Sequence, residues 1–102
     1  MSIGIDMVRI ERVRELLSDP AVAGRVFSSD EFVENIASMA GKFAAKEAIF
    51  KARGTRSDWL DFKILKRASG EPYVATAMPI DIKISISHEG EYAIAIALIE
   101  TV

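Results

Sequence analysis

The sequence predicts one α+β domain over residues 1–102, with helices in the N-terminal half packed on an antiparallel sheet in the C-terminal half. Three observations carry that expectation. Residues 39–53 are alanine-rich, free of proline and followed by Gly54, the pattern of a helix with a glycine C-cap. Ile82, Ile84 and Ile86 alternate with Lys83, Ser85 and Ser87, the period of a half-buried strand. Residues 92–99 are apolar on both parities, as in a strand that is central or is covered by a helix or a second subunit.

The elements follow in order. Ile3, Ile5 and Met7 alternate with Gly4 and Asp6, giving a short strand. Ile10, Val13, Leu16 and Leu17 then recur at helical spacing, and this helix is expected to end near residues 18–20. Asp6 falls where strand gives way to helix. It is either a helix N-cap or a ligand at a strand end. Ser28 and Glu31 form an S-x-x-E pattern that starts a short helix carrying Phe32, Val33 and Ile36. The central helix follows a break near Ser38. On its wheel Ile36, Met39, Ala40, Phe43 and Phe50 share a face, with Glu47 in the middle and Lys46 and Lys51 on either side.

A carboxylate on an apolar stripe needs compensation. Two readings stand: an i,i+4 pair with Lys51, or a cleft in which Glu47 holds a cation or acts as a base while the lysines face an anion. Residues 54–58 form a loop whose glycine and hydroxyl groups suit a phosphate, though such residues also make ordinary loops. Residues 62–66 read as a strand, 69–72 as a turn, and 73–75 as the start of a second strand that runs through the isoleucine alternation to His88. Residues 89–91 make a hairpin loop into 92–99.

Composition sets the outer limits. With 102 residues, half of them hydrophobic and three of them proline, the chain builds one small core and is not disordered. A core of that size makes oligomerisation an expectation. The net charge of −2 gives no electrostatic footprint for nucleic acid. The absence of cysteine excludes disulfides and thiolate metal sites, and fits a reducing compartment. The longest apolar run, residues 93–99, is far shorter than a membrane span, so no membrane partner is expected and the expected location is cytoplasmic.

Three segments then stand in order: Gly4-Ile-Asp-Met-Val-Arg-Ile-Glu-Arg12, Gly41-Lys-Phe-Ala-Ala-Lys-Glu-Ala-Ile-Phe-Lys-Ala-Arg-Gly-Thr55 and Ser85-Ile-Ser-His88. Together they closely resemble the holo-acyl-carrier-protein synthase family, the small trimeric branch of the 4′-phosphopantetheinyl transferases. The middle segment is the most specific, and the resemblance covers residues 2–99. It implies the 4′-phosphopantetheinyl transferase fold and the transfer of phosphopantetheine from coenzyme A to a serine of an acyl carrier protein, with adenosine 3′,5′-bisphosphate as the other product. It implies that Asp6 and Glu47 bind Mg²⁺, with Mn²⁺ as an alternative, and that Asp6, Glu47 and Lys51 are the catalytic residues, Glu47 helping to deprotonate the serine. Lys46 and Lys42 bring positive charge to the coenzyme, Gly54 and Thr55 match the loop near the nucleotide, and Ser87 with His88 match the segment that receives the adenine-side phosphates. Arg12 matches a carrier-docking arginine, and Arg9 adds charge beside it. The resemblance further implies a homotrimer with active sites between subunits. The carrier, whether of fatty-acid, polyketide or another synthase, stays open.

The chain departs from the family pattern in four places. Arg9 stands where an acidic residue is usual, Lys42 replaces an arginine, Arg56 replaces a glycine, and the segment around residues 18–38 is short. Those departures carry an alternative from another class, a non-catalytic coenzyme A- or nucleotide-binding relative that regulates a synthase.

Overall fold

The computed structural model describes residues 1–101. In chain order the elements are β1 (Ser2–Arg9), α1 (Ile10–Leu17), α2 (Pro20–Val26), a 3₁₀ turn (Ser29–Glu31), α3 (Ile36–Arg53), a second 3₁₀ turn (Trp59–Asp61), β2 (Lys63–Lys66), β3 (Pro72–Ala75), β4 (Ile80–Glu89) and β5 (Tyr92–Thr101). The α+β class holds, and the sheet gains a strand from the N-terminus. Its order is β1-β5-β4, antiparallel throughout, while β2 and β3 form a separate hairpin.

β5 is the central strand, as its apolar run predicts. Its alanine parity, Ala93, Ala95 and Ala97, is buried with Ile99, while Tyr92, Ile94 and Ile96 lie on the open parity. Small side chains let α3 come close to the sheet. The same demand inverts β1. Gly4, Asp6 and Val8 face α3, and the large residues Ile3, Ile5 and Met7 are exposed on the outer face. A Cβ at Gly4 would lie 2.1 Å from the Ala48 carbonyl oxygen and 2.6 Å from the Ala52 nitrogen, so strand and helix backbones meet there. Gly41 allows a similar approach to Ile86, whose Cγ2 would lie 2.6 Å from an added Cβ.

Several boundaries differ from those read in the sequence. β1 continues to Arg9, so Asp6 is a mid-strand residue paired with Ala95 and caps no helix. The N-cap of α1 is Arg9, and its sheet runs up to the helix because the Ile10 amide donates to the Glu91 carbonyl at 2.8 Å. Pro20–Val26 forms a helix that the sequence pattern does not predict; Asp19 caps it, accepting from the Ala21 and Val22 amides at 3.0 and 3.4 Å, with Pro20 opening the first turn. Ser28 and Glu31 bound a single 3₁₀ turn, and Phe32 and Val33 beyond it are exposed. α3 starts before Ser38, at Ile36, because the Asn35 side chain accepts from the Ser38 amide at 3.0 Å. Its end is as expected: Gly54 takes φ 75° and its amide donates to the Phe50 and Lys51 carbonyls. The strand expected from residue 73 to His88 is two strands, β3 and β4, separated by residues 76–79 with Pro79 among them.

α3 is the hub rather than a half-exposed amphipathic helix. It is buried from Met39 to Lys46 and again through most of its last two turns. One side meets β1 and β5. Another meets the Trp59–Asp61 turn through aromatic contacts: Trp59 stacks on Phe43 at 5.2 Å, and Phe50 meets the Trp59 edge at 5.2 Å and Phe62 at 6.2 Å.

Candidate functional site

The buried charges of α3 are Lys46 and Lys42, not Glu47. Lys46 is fully buried, and its Nζ donates to the Val26 carbonyl at 2.6 Å, Glu31 Oε1 at 2.9 Å and the Trp59 carbonyl at 3.0 Å. An ammonium has three donors and all three are used inside the chain. Glu31, also fully buried, accepts in addition from the Ser28 amide at 2.9 Å and the Ile64 amide at 2.8 Å. Burial pushes the Lys46 ammonium below the usual lysine range, and the bond to Glu31 opposes that shift. Lys42 is buried too, donates to the Glu31 carbonyl at 2.6 Å, and is likewise lowered by desolvation. The expectation that Lys46 faces a phosphate is therefore corrected: it ties α2, the Ser29–Glu31 turn and the Trp59–Asp61 turn to α3, and Lys42 adds a bond to the Ser29–Glu31 turn.

Glu47, one residue on, points to the rim. Its side chain is 14 % exposed, and Arg56 Nη2 donates to both of its oxygens, at 3.2 Å to Oε1 and 2.9 Å to Oε2. Its partner is thus Arg56, not Lys51. Lys51 reaches across to the sheet, donating to Asp6 Oδ1 and to the Ile5 carbonyl, both at 3.0 Å. Asp6 is 15 % exposed. Asp6 faces α3 because strand alternation sets it on the parity of Gly4 and Val8. Lys51 meets it because it stands one helical turn beyond Glu47. Two rim carboxylates, one from β1 and one from α3, each carry a cationic side chain. Glu47, Phe50, Lys51, Gly54, Thr55 and Arg56 line a cavity of about 350 Å³ beside them.

The remaining expected residues lie elsewhere on the chain. Ser87 and His88 are exposed near the end of β4, paired with Ile94 and Ala93, and do not line the Glu47 cavity. Ser87 lies on the outer face of the sheet, where it lines a smaller depression with Ile5, Ser85, Ile94 and Ile96. Arg12 is in the first turn of α1, its guanidinium 5.6 Å from the Phe43 ring. Arg9 is the last residue of β1 and lies over Tyr92 at 5.3 Å. Sequence reasoning named Arg56 only as a departure and Glu31 only as a capping residue. The signal for Glu31 was present: a lysine inside a run of buried alanines requires a buried acceptor.

A three-stranded sheet crossed by one buried helix, with Glu47 lining a cavity and Asp6 bonded to its lining residue Lys51, defines a small α+β domain. Residues 2–97 match the family model of the 4′-phosphopantetheinyl transferase superfamily. A holo-[acyl-carrier-protein] synthase of Alkaliphilus metalliredigens is 41 % identical, over 94 % of this chain and 95 % of its own length. One of Chlorobium chlorochromatii is 38 % identical, over 98 % of this chain and all of its own length. Those alignments span 116 and 118 positions against 102 residues here, so both relatives carry residues that this chain lacks. Among solved structures, a Bacillus anthracis holo-(acyl-carrier-protein) synthase in complex with coenzyme A (3′,5′-ADP) superposes with a TM-score of 0.87 at 29 % identity, covering 99 % of this chain and 96 % of that one. The Helicobacter pylori synthase in complex with coenzyme A gives 0.84 at 30 % identity, covering 96 % and 99 %. The chain belongs to the 4′-phosphopantetheinyl transferase superfamily, and within it to the holo-[acyl-carrier-protein] synthase family.

Proposed function

We propose that this chain transfers the 4′-phosphopantetheine group of coenzyme A to a serine of an apo acyl carrier protein, releasing adenosine 3′,5′-bisphosphate. The observation that carries the proposal is the pair of rim carboxylates, Asp6 and Glu47, each seated against a cation beside one cavity, in a chain of this family.

The donor set fits Mg²⁺. Two carboxylates supply hard oxygens, both side chains already hold a positive partner, and the ion ordinarily completes its shell with phosphate oxygens and water. Asp6 and Glu47 would hold such an ion, and its remaining ligands would come from substrate oxygens and water. Mn²⁺ accepts the same donors. When bound, the ion would supply positive charge against the pyrophosphate. The chain does the rest. The carrier serine Oγ bonds to the β-phosphorus, the bond from that phosphorus to the bridging oxygen breaks, and Glu47 takes the serine proton. Lys51 offsets charge on the departing bisphosphate. Gly54 and Thr55 line the cavity and position the nucleotide. Lys42 and Lys46 act from inside the fold by fixing α3, which carries Glu47 and Lys51.

The active form is a homotrimer with sites between subunits. Its support is the outer face of the sheet, where Ile3, Ile5 and Met7 of β1 and Ile94 and Ile96 of β5 are 37–63 % exposed on one surface. Ser87 and His88, remote from the chain's own cavity, then serve a neighbour's nucleotide. Arg12 and Arg9 face the acidic carrier. We place the reaction in the cytoplasm, where a chain without cysteine meets no mismatch of redox state. A fatty-acid carrier is the first to test.

The test is to incubate the chain with coenzyme A, MgCl₂ and an apo carrier, then weigh the carrier. It should gain the mass of one phosphopantetheine group, and a chelator should stop the gain. A carrier of unchanged mass, with coenzyme A bound to the chain, would contradict transfer and leave a binding module.

A further inference from the structure

Arg56 covers the carboxylate of Glu47. Its Nη2 donates to both carboxylate oxygens, at 2.9 and 3.2 Å, so one guanidinium covers the oxygens that a metal would use. The same guanidinium is held from its other side by two rings: its Cζ is 5.2 Å from the Phe50 centroid and 5.5 Å from that of Trp59. Phe50 belongs to α3 and Trp59 to the turn beyond the loop, so Arg56 ties the middle of residues 54–58 to both, beside the bond from Arg53 Nη1 to Ser57 Oγ at 3.1 Å. Gly54 and Thr55, which line the cavity, lie in that loop. Yet the Arg56 side chain is 62 % exposed, and it can leave without disturbing the core.

We propose that Arg56 is an internal counter-ion latch: without metal it neutralises Glu47 and holds loop 54–58 against Phe50 and Trp59, and a divalent cation on Glu47 displaces it and releases the loop. The inference rests on the reading of Asp6 and Glu47 as the metal pair. It adds that metal occupancy and loop position are one equilibrium. Guanidinium and metal compete for the same lone pairs, and a ligand shifts an equilibrium only by its difference in affinity for the two states. Lys51 holds Asp6 in a similar way, but it spans helix to strand and fixes no loop. The latch lies on loop 54–58 alone.

Trp59 is the only tryptophan in the chain and touches the latch directly, so its emission reports on Arg56. The experiment titrates MgCl₂ into wild type, Arg56→Gln, Arg56→Lys and Asp6→Asn at constant ionic strength. Coenzyme A is saturating, calorimetry and Trp59 fluorescence are read together, and the heat of Mg²⁺ mixing with coenzyme A alone is subtracted. In wild type, Trp59 emission should change in step with the binding heat. Arg56→Gln should bind Mg²⁺ about two- to tenfold tighter, the factor expected when an exposed ion pair and its ring contacts no longer compete. Its Trp59 emission should start displaced and stay flat. Arg56→Lys keeps the charge but loses the planar guanidinium that lies over the Phe50 and Trp59 rings, and should fall between the two. Asp6→Asn should lose both the heat and the fluorescence change. Mg²⁺ heat in wild type with an unmoved Trp59, and unchanged affinity in Arg56→Gln, would overturn the latch and leave the metal pair standing. Wild-type affinity in Asp6→Asn, or no heat in any variant, would overturn the metal reading and the latch with it.

Discussion

Lys46 and Glu47 are adjacent in the chain and opposite in environment, and that one-residue difference decides which does structural work. Lys46 has all three donors bonded in the core, whereas Glu47 reaches the rim. Lys46→Met should therefore destabilise the fold, because it leaves Glu31 charged and buried without its counter-ion. The expected loss is about 3–5 kcal/mol, read as a fall in the urea midpoint at unchanged slope; a loss under about 1 kcal/mol would show that the pair is not coupled as its geometry implies. At this scale the sequence was only half legible. The need for a compensated charge on α3 could be read from its apolar neighbours, and so could the need of Glu47 for a cationic partner. Which charge was buried could not, because the helix is covered on more sides than a single stripe, and its acceptors come from Val26, Glu31 and Trp59, distant in sequence.

Elements meet here through backbone rather than through large side chains. β1 lies on α3 at Gly4, and β5 lies on α3 through alanines. Gly4→Ala should cost stability at or above the top of the roughly 1–3 kcal/mol typical of overpacking, because the atoms in its way are the Ala48 oxygen and Ala52 nitrogen, which cannot rotate aside. It should also move Asp6, two residues on, away from Lys51. Thermal melting together with the transfer rate checks both effects, and a variant of wild-type stability and rate would show that β1 has room to shift. α3 was readable because alanine content and a glycine cap are local signals. The end of β1 was not, since the register of Asp6 against Ala95 is set by pairing with the far end of the chain. α2 escaped for another reason: Pro20–Val26 holds one turn fewer than most helices need and contains Gly24, so only Asp19 and Pro20 announce it.

The whole molecule leaves an apolar sheet face uncovered. Ile3, Ile5, Met7, Ile94 and Ile96 expose large apolar side chains on one surface, the face on which the proposed trimer rests. Ile5→Lys should leave the α3 side of the sheet intact and break assembly, so sedimentation should fall from about three chain masses to one, three being the closed cyclic form expected of the family. If Ile5→Lys sediments as wild type, the subunits meet elsewhere. Docking of the carrier belongs to this scale too. Arg12→Glu should lower kcat/KM for the carrier and flatten its dependence on salt, since steering by exposed charge is screened. Equal slopes for the two proteins would remove Arg12 from the docking face. The fold class, the central strand and the family were legible in the sequence as patterns. The composition of the site was legible in part: Asp6, Glu47, Lys51, Gly54 and Thr55 gather at one edge of α3, while Ser87 and His88 do not reach it within one chain. The central claim is that Asp6 and Glu47 act as a pair in phosphopantetheine transfer, and the most direct measurement is the mass of an apo carrier after incubation with coenzyme A, MgCl₂ and wild type, Asp6→Ala or Glu47→Ala, each variant first shown by circular dichroism to be folded. The account predicts a fully converted carrier with wild type and an unmodified one with either variant; substantial conversion by a folded Asp6→Ala or Glu47→Ala protein at saturating Mg²⁺ would contradict it.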